Sequence, residues 1–431
     1  PMTKAFGLQQ PISLPDDEPL WPISDLQQPE VVHSAEAFIE SMLFQPHLDR
    51  IVVLRNGIEL LDQHVGVPEA VENAVRGALT MRSFLENLGP DLQRRFRGRL
   101  WHYGTKGKEK EIKRNDGSKK KRAFSETVKE LMRRQEDGDI PVDAPLYISE
   151  LRWHEKVRHP SAPDELVKTA TRRDVYDSTP LARRMPLWER SEGGIFVGER
   201  GAGSGMHVDQ CLWSNVGRNW CGFKLFALWG WEERHSILDE AGKGTLFHMP
   251  LSEREKGFLR RAKKIALIRP GDIWVFSGGQ PHTALIVGDG ISISAYESFV
   301  SAHPAAVGLL VRSNTKDSHW KPCWMDDDDL DELYEDVVDS LQRSLRAPDL
   351  ERKLRLRLQS CVQAMRTDGD PYCRELWEQE DSGKRRRRRE EDSQDEEASG
   401  GALGKSSKSS KSSSEKGEER SPYAKKTRGP S

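Results

Sequence analysis

The sequence has few cysteines, and they do not occur in the spacings that bind zinc or cross-link a small fold. The 431 residues include five of them and no Cys-x-x-Cys pair: Cys211, Cys221, Cys323, Cys361 and Cys373. This odd, scattered set argues against a disulfide framework and against a cysteine zinc cluster. It is typical of a protein in a reducing compartment.

Long apolar runs are also missing. No stretch of about 18 apolar residues occurs, and no secretory signal leads the chain. We therefore expect neither a membrane span nor export, and no membrane partner. Because the chain opens at Pro1 rather than methionine, this expectation leaves room for a presequence.

Apolar residues are scarce for a wholly globular chain. Hydrophobic residues make up 35% and charged residues 32% of the sequence, which predicts that part of it is unfolded. Residues 1–30 are rich in proline and acid and are expected to be a loosely ordered lead-in. Residues 381–431, rich in Lys, Arg and Ser, predict a disordered tail, because they lack the apolar side chains that offset the entropy of ordering.

Residues 31–144 mix helical and strand patterns. The segments predicted within them are a helix over 34–43 with a serine N-cap, a strand over 50–57 closed by Asn-Gly, helical spacing over 69–100, and a basic exposed loop at 106–122.

Residues 145–315 have a different pattern from the preceding region. Short apolar runs alternate there with glycine and proline turns, as in "CGFKLFALWGW" and "KKIALIRPGDIWVFSGGQPH". Several such strands predict an antiparallel sandwich or barrel. Residues 326–380 then carry two helical patterns divided near Pro348. The predicted fold class is mainly β with flanking helices, followed by C-terminal helices and the disordered tail.

A His-x-Asp sequence, His207-Val208-Asp209, follows a glycine-rich run. On a strand, residues two apart point to the same side, so the imidazole and the carboxylate would converge. A second pair of this type, His47 and Asp49, lies in a probable turn with no supporting pattern, and we predict that it is solvated. The glycine-rich run itself lacks the Gly-Lys-Ser/Thr ending of a phosphate-binding loop, and "HEKVRH" spaces its histidines wrongly for a zincin helix.

One more histidine would complete a two-histidine, one-carboxylate set, which is the ligand set of non-haem Fe(II) oxygenases. His282 is the best candidate, because it follows a turn, an apolar strand and a second turn and so opens the next strand. The competing histidines lack this setting: His235, His248, His303 and His319.

Lys224 lies inside the apolar strand "GFKLFALW", on the same face as Phe226 and Leu228. Burying an ammonium group without a partner costs several kcal/mol, and no acid is evident on an adjacent strand. A dicarboxylate such as 2-oxoglutarate would supply the partner, with Ser204 and Ser294 on strands that could reach it. The alternative is a lysine that extends to solvent at a strand edge.

Segment 190–302 resembles a JmjC (jumonji C) domain, the family of cupin-type oxygenases that use Fe(II) and 2-oxoglutarate. "GSGMHVD" is similar to the family's Thr/Ser-Gly-x-His-x-Asp, and "WCGFKLFALW" to its Gly-x-Lys-x-Trp/Phe strand. "RPGDIWVFSGGQPH" is similar to its Pro-Gly-Asp-to-histidine strand pair. Two features depart from the family: "TALIVGDG" lacks an asparagine often found after the second histidine, and Asn215 lies closer to His207 than is usual.

The resemblance implies a double-stranded β-helix (jelly-roll or cupin) core and a set of site residues. Fe(II) would be held by His207, Asp209 and His282, and 2-oxoglutarate would be bound at Lys224, with further contacts from Ser204, Ser294 and Asn215. A tyrosine joins this pocket in relatives, and Tyr147 is the candidate for it here. With O₂ as the other co-substrate, the implied activity is hydroxylation of a protein side chain or demethylation of methyl-lysine or methyl-arginine.

The resemblance leaves the substrate and the class of protein open. We expect a protein substrate, a histone or an RNA-associated protein among the candidates. The basic run 384–389 is either a nuclear address and nucleic-acid contact or a solvated charge run. A nuclear location is expected, and otherwise a cytoplasmic one. The alternatives are a catalytically silent cupin that binds partners in a nuclear or RNA-associated complex, and a metal cupin that does not use 2-oxoglutarate.

Overall fold

The computed structural model describes most of the chain between residues 24 and 299 and part of the C-terminal region. The described residues are 24–44, 48–61, 73–75, 78, 80–103, 109–112, 124–153, 195–209, 214–231, 233–241, 251–299, scattered positions from 335 to 350, and 352–368. The predicted lead-in up to residue 23 and the predicted tail from 381 lie outside them. The chain divides into two compact units, residues 1–306 and 307–431.

The first unit is built mainly from β-strands, which we number in chain order. They are β1 (Glu30–Val32), β2 (Ile51–Leu54), β3 (Phe96–Tyr103), β4 (Glu109–Glu111), β5 (Leu146–Trp153), β6 (Ile195–Glu199), β7 (Gly203–His207), β8 (Ser214–Cys221), β9 (Lys224–Leu228), β10 (Lys264–Ile268), β11 (Ile273–Ser277), β12 (His282–Ile286) and β13 (Ile291–Phe299).

Helices flank these strands. They are a 3₁₀ turn (Asp25–Gln27), α1 (Ala35–Phe44), α2 (Gly57–Leu61), α3 (Met81–Arg95), α4 (Phe124–Glu136), α5 (Arg234–Ala241), α6 (Glu253–Arg260) and, in the second unit, α7 (Arg352–Asp368).

The strands form two sheets. One has nine strands in the order β1-β2-β11-β8-β13-β6-β5-β3-β4, and the other has four in the order β10-β9-β12-β7. Among the described pairs only β1 and β2 run parallel, and the rest are antiparallel. The predicted secondary-structure class, mainly β with a few helices, is confirmed.

The two sheets pack face to face around one apolar interior. The nine-stranded sheet contributes side chains of β2 and β11, and the four-stranded sheet contributes side chains of β9, β10 and β12. The cluster consists of Ile51, Val53, Trp274, Phe276, Phe226, Leu228, Ala266, Ile268 and Ala284. Because the side chains of a strand alternate between its faces, every second residue of β9, including Lys224, faces this interior.

The opposite face of the four-stranded sheet is covered by helices. Leu225 and Ala227, the alternate residues of β9, pack with Ile237 of α5 and Leu259 of α6 in a second buried cluster. The N-terminal 3₁₀ turn is fixed to the same region, since the Gln27 amide donates to the carbonyls of Leu259 and Ala262 at 2.9 and 2.7 Å. The four-stranded sheet is therefore buried on both faces, which fixes the position of its interior side chains.

The predictions for residues 31–144 are confirmed in part. The first helix begins after Ser34, whose hydroxyl accepts from the Ala37 N–H at 3.2 Å, and β2 ends at a turn in which Asn56 has φ 54°. The predicted helical region over 69–100 is wrong at its end, because residues from Phe96 onward pair with β5 as strand β3. The predicted basic loop at 106–122 is wrong at Glu109–Glu111, which pair with β3; the rest of it, apart from Ile112, lies outside the described residues.

The second unit contains α7, which confirms the second of the two predicted C-terminal helices. Leu358, Cys361 and Met365 are fully buried and, at spacings of three and four, lie on one face of this helix. The predicted acidic opening turn before residue 335 lies outside the described residues. None of the helices in the described part of the chain combines the length and the apolar character needed to cross a membrane.

Candidate metal centre

Two histidines face each other across neighbouring strands. β7 and β12 pair antiparallel with His207 directly opposite His282, and directly opposed residues lie on the same face of a sheet. Their ring centroids are 4.2 Å apart at an interplanar angle of 55°. His282 opens β12 as the sequence predicted, and the strand register brings together two residues that are far apart in sequence.

Asp209 completes the group. Its Oδ1 lies 3.2 Å from Nε2 of His207, and its Oδ2 lies 3.5 Å from Nε2 of His282. One ligand atom from each residue falls within 4.8 Å of the other two. Two imidazoles and a carboxylate at this spacing could hold a metal ion and leave coordination positions open.

The prediction that His207 and Asp209 share a strand is wrong, because β7 ends at His207. Asp209 lies in the following segment, where its backbone N–H donates to the carbonyl of Gly278 at 2.8 Å. Gly278 belongs to the turn after β11, so this bond directs the chain, and with it the carboxylate, toward His282. The convergence of the three residues therefore comes from a tertiary contact and not from strand alternation.

Both histidines present the same nitrogen to Asp209. Nδ1 of His207 lies 2.6 Å from the carbonyl oxygen of Gly205, and Nδ1 of His282 lies 2.8 Å from that of Gln280. Since a carbonyl oxygen only accepts, each Nδ1 carries the hydrogen, and the lone pair of each neutral ring is on Nε2. Histidine ligands in proteins are held in this way by hydrogen bonds to their second nitrogen.

The charges around the group favour an anionic carboxylate beside a neutral His282 ring. Burial opposes ionisation of Asp209, but the nearby His282 and His207 and the Asn215 amide lower its pKa to about 2. Burial, reinforced by His207, lowers the pKa of His282 to about 4. The His282 side chain is only 4% exposed, whereas the side chains of His207 and Asp209 are 30% and 33% exposed. A small molecule can therefore approach the group from the side of His207 and Asp209.

Asn215 and Gly278 surround the carboxylate. The Asn215 amide on β8 donates to Oδ2 of Asp209, so this residue, predicted as a cofactor contact, lies against a candidate metal ligand. A Cβ added to Gly278 would lie 2.6 Å from Nδ2 of Asn215 and 2.9 Å from Oδ2 of Asp209. A side chain at position 278 is therefore incompatible with the present position of the carboxylate.

Lys224 lies in the interior, as its position on β9 predicted. It is 1% exposed, its ammonium group donates to the Ser294 hydroxyl, and its Nζ lies 5.7 Å from the ring centroid of Tyr296. Within the described residues no carboxylate lies within ion-pair distance of it. Burial accordingly lowers the pKa of Lys224 to about 7.

Tyr296 lies beside the lysine, and the sequence analysis did not single it out. Its hydroxyl is hydrogen-bonded to Ser294, and burial raises its pKa, with the charge of Asp209 adding to the increase. The phenol is therefore within electrostatic reach of Asp209 while it shares Ser294 with Lys224. Its place on the same face as Ser292 and Ser294, in an alternating strand, was the signal that could have identified it.

The sequence analysis also considered Ser204, Asp49 and five further histidines. The Ser204 hydroxyl is 3.0 Å from the phenol of Tyr147, and among the described residues no hydrogen bond joins Ser204 to Lys224. The prediction that Asp49 is solvated holds only in part: the residue is partly exposed, but its side chain accepts from Gln280 Nε2 at 2.7 Å. The side chains of the other candidate histidines fall outside the described residues: His47, His235, His248, His303 and His319.

Comparison of the chain with models of known protein families gives no match, and a search among curated proteins gives none either.

We expect Gly278→Ala to weaken metal binding by about 10- to 100-fold, because the new methyl group displaces the Asp209 carboxylate and the Asn215 amide. The measurement is a titration of metal-free protein with Co²⁺, followed by visible absorption. Gly257→Ala is the matched control, since a Cβ at this helical glycine meets no atom within 4 Å. Equal Co²⁺ affinity in the two variants would contradict the geometry described above.

We expect Lys224→Met to stabilise the ligand-free protein by about 1–4 kcal/mol at pH 6, because it removes a buried ammonium that lacks a counter-charge. The folded pKa of about 7 lies below the ordinary lysine value of 10.5. The penalty is thus complete below pH 7 and disappears as the pH rises toward 10.5. Denaturant unfolding at several pH values measures the gain, and the exposed Lys263→Met is the control. A gain that does not shrink with rising pH would contradict this account.

Proposed function

We propose that this protein is a JmjC-type dioxygenase that uses Fe(II), 2-oxoglutarate and O₂. One observation carries the proposal: a two-histidine, one-carboxylate group and a buried lysine that has no carboxylate partner among the described residues occur in one interior, with Tyr296 beside the lysine. The metal group alone would fit many metalloproteins. The lysine is the feature that a metal site does not need and an anionic co-substrate does.

The fold proposed with this activity is the double-stranded β-helix. Eight strands support it, because from β6 to β13 the chain passes repeatedly between the two sheets. β6, β8, β11 and β13 lie in the nine-stranded sheet, and β7, β9, β10 and β12 lie in the four-stranded sheet. Such alternation between two facing antiparallel sheets is the arrangement of jelly-roll folds.

Each site residue has a proposed role that follows from its contacts. His207, Asp209 and His282 would hold Fe(II) through the two Nε2 atoms and a carboxylate oxygen. Asn215 orients the Asp209 carboxylate through its amide hydrogen bond. Lys224 and the Ser294 hydroxyl, which are already hydrogen-bonded to each other, would bind the distal carboxylate of 2-oxoglutarate. Ser204, paired with Tyr147, is proposed to contribute a further polar contact.

When bound, the iron and its co-substrates supply the oxidation: 2-oxoglutarate, O₂ and a substrate C–H group give succinate, CO₂ and a hydroxylated carbon. On an N-methyl group the same hydroxylation leads to loss of formaldehyde and thus to demethylation. The chain's own part is to hold the ligands on one side, to bind the co-substrate's far end and to exclude water with the aromatic interior. The side chain of His282 is only 4% exposed, which is consistent with the exclusion of water.

The substrate class proposed is a protein side chain, in a histone or an RNA-associated protein. A nuclear location, and a nucleic-acid contact through the tail, rest on the basic run 384–389, which lies outside the described residues.

The test is co-substrate turnover without a prime substrate. Purified protein loaded with Fe(II) is incubated with 2-oxoglutarate and O₂, and succinate is measured. We expect succinate from the wild-type protein and from Lys263→Met, and none above background from Asp209→Ala or Lys224→Met. The first variant removes a metal ligand and the second removes the charge that binds the co-substrate.

Two results would contradict the proposal. Equal succinate formation by Asp209→Ala would assign the turnover to iron bound elsewhere. No succinate, together with no change in the wild-type melting temperature on adding 2-oxoglutarate, would favour a catalytically silent cupin that binds a partner. Melting temperatures of both variants establish that they are folded.

We further expect 2-oxoglutarate binding to take up about one proton at pH 8, because the bound carboxylate favours the charged form of a lysine whose pKa is about 7. Affinity should fall about tenfold per pH unit above pH 7 and be nearly constant below it. Calorimetry of anaerobic, Fe(II)-loaded protein in buffers of different ionisation enthalpy measures the uptake. Binding without proton uptake at pH 8 would mean that Lys224 does not contact the co-substrate.

A further inference from the structure

We propose that Asp49 and Gln280 act together as positioning residues that hold His282 in the orientation and tautomer of a metal ligand. The inference rests on the proposed metal centre and extends it to a residue in a different part of the sequence. Asp49 lies two residues before β2 of the nine-stranded sheet, whereas Gln280 lies in the turn that leads into β12.

The two side chains form a reciprocal pair. The backbone N–H of Asp49 donates to Oε1 of Gln280 at 2.7 Å, and Nε2 of Gln280 donates to Oδ1 of Asp49 at 2.7 Å. The second hydrogen of Nε2 donates to the carbonyl of Trp229 at 2.8 Å. Gln280 is fully buried, and these three bonds satisfy both N–H groups and the oxygen of its amide.

This arrangement fixes the backbone that holds the histidine. The carbonyl of Gln280 accepts from Nδ1 of His282 at 2.8 Å. The carbonyl of the intervening Pro281 accepts from the Trp229 N–H at 2.9 Å. Rotation of the 280–281 peptide would break the first bond and release the His282 ring, so the Gln280 side chain determines where Nε2 points.

Asp49 is itself held by two elements. Its Oδ1 also accepts from the backbone N–H of Trp231 at 3.0 Å, and its backbone has φ 59°, a region that Asp and Asn tolerate better than other residues with a side chain. A carboxylate acceptor makes its hydrogen bonds stronger than a neutral one would. Asp49 therefore connects the end of β9 with the turn before β12.

The test uses two substitutions at position 49 whose side chains are compatible with its positive φ. Asp49→Gly removes the acceptor, and glycine is at least as favourable at this φ. Asp49→Asn keeps an oxygen acceptor in the same place. Metal-free proteins are titrated with Co²⁺, and both the affinity and the position of the visible absorption bands, which report the ligand set, are recorded.

We expect Asp49→Gly to weaken Co²⁺ binding by about 10- to 100-fold and to alter the bands, and Asp49→Asn to stay within about threefold of wild type. Gln280→Met, which keeps the volume and removes the amide, should reproduce the loss with residue 49 itself unchanged. It serves as the second variant should Asp49→Gly fold poorly.

Wild-type affinity and bands in both Asp49→Gly and Gln280→Met would overturn the inference while leaving the metal centre intact. Failure of the wild-type protein to bind Co²⁺ would instead overturn the metal centre itself. Because Co²⁺ is titrated without 2-oxoglutarate, the absence of succinate formation would count against the oxygenase proposal alone.

Discussion

The candidate site depends on the antiparallel pairing of β7 with β12. That register puts His207 directly opposite His282, and a shift of one residue would turn one of the two rings to the other face of the sheet. The four-stranded sheet is buried on both faces, so a shifted register would exchange the side chains that pack in the interior with those that pack under the helices. The packing of the sheet and the geometry of the histidines are therefore fixed by the same constraint.

The charged groups described at the candidate site are not balanced alike. Asp209 has the two histidines and Asn215 around it, and both imidazoles donate to backbone carbonyls. Lys224 has a hydroxyl and an aromatic ring beside it but, among the described residues, no carboxylate. A buried charge left in this state costs stability in the free protein, and binding of an anion would recover that cost. This imbalance is the physical reason to look for an anionic ligand.

Local sequence patterns predicted much of the architecture. The alternation of apolar runs with glycine and proline turns indicated most of the strands from β5 to β13, though not β8. The Ser34 cap and the Asn56 turn were found where the pattern put them. Patterns failed where pairing decided the outcome: residues from Phe96 became a strand because β5 offered a partner. Glu109–Glu111, charged and short, became an edge strand for the same reason.

The sequence by itself determined which chemistry was available: two histidines and a carboxylate at strand ends, and a lysine on the inward face of an apolar strand. Only the tertiary structure decided how these groups meet. Asp209 reaches His282 through a backbone bond to Gly278, Tyr296 lies beside Lys224 and shares Ser294 with it, and Asp49 holds Gln280 across 231 positions of sequence. Such contacts are set by strand register and by the packing of two sheets, and these depend on interactions between distant residues that no local pattern encodes.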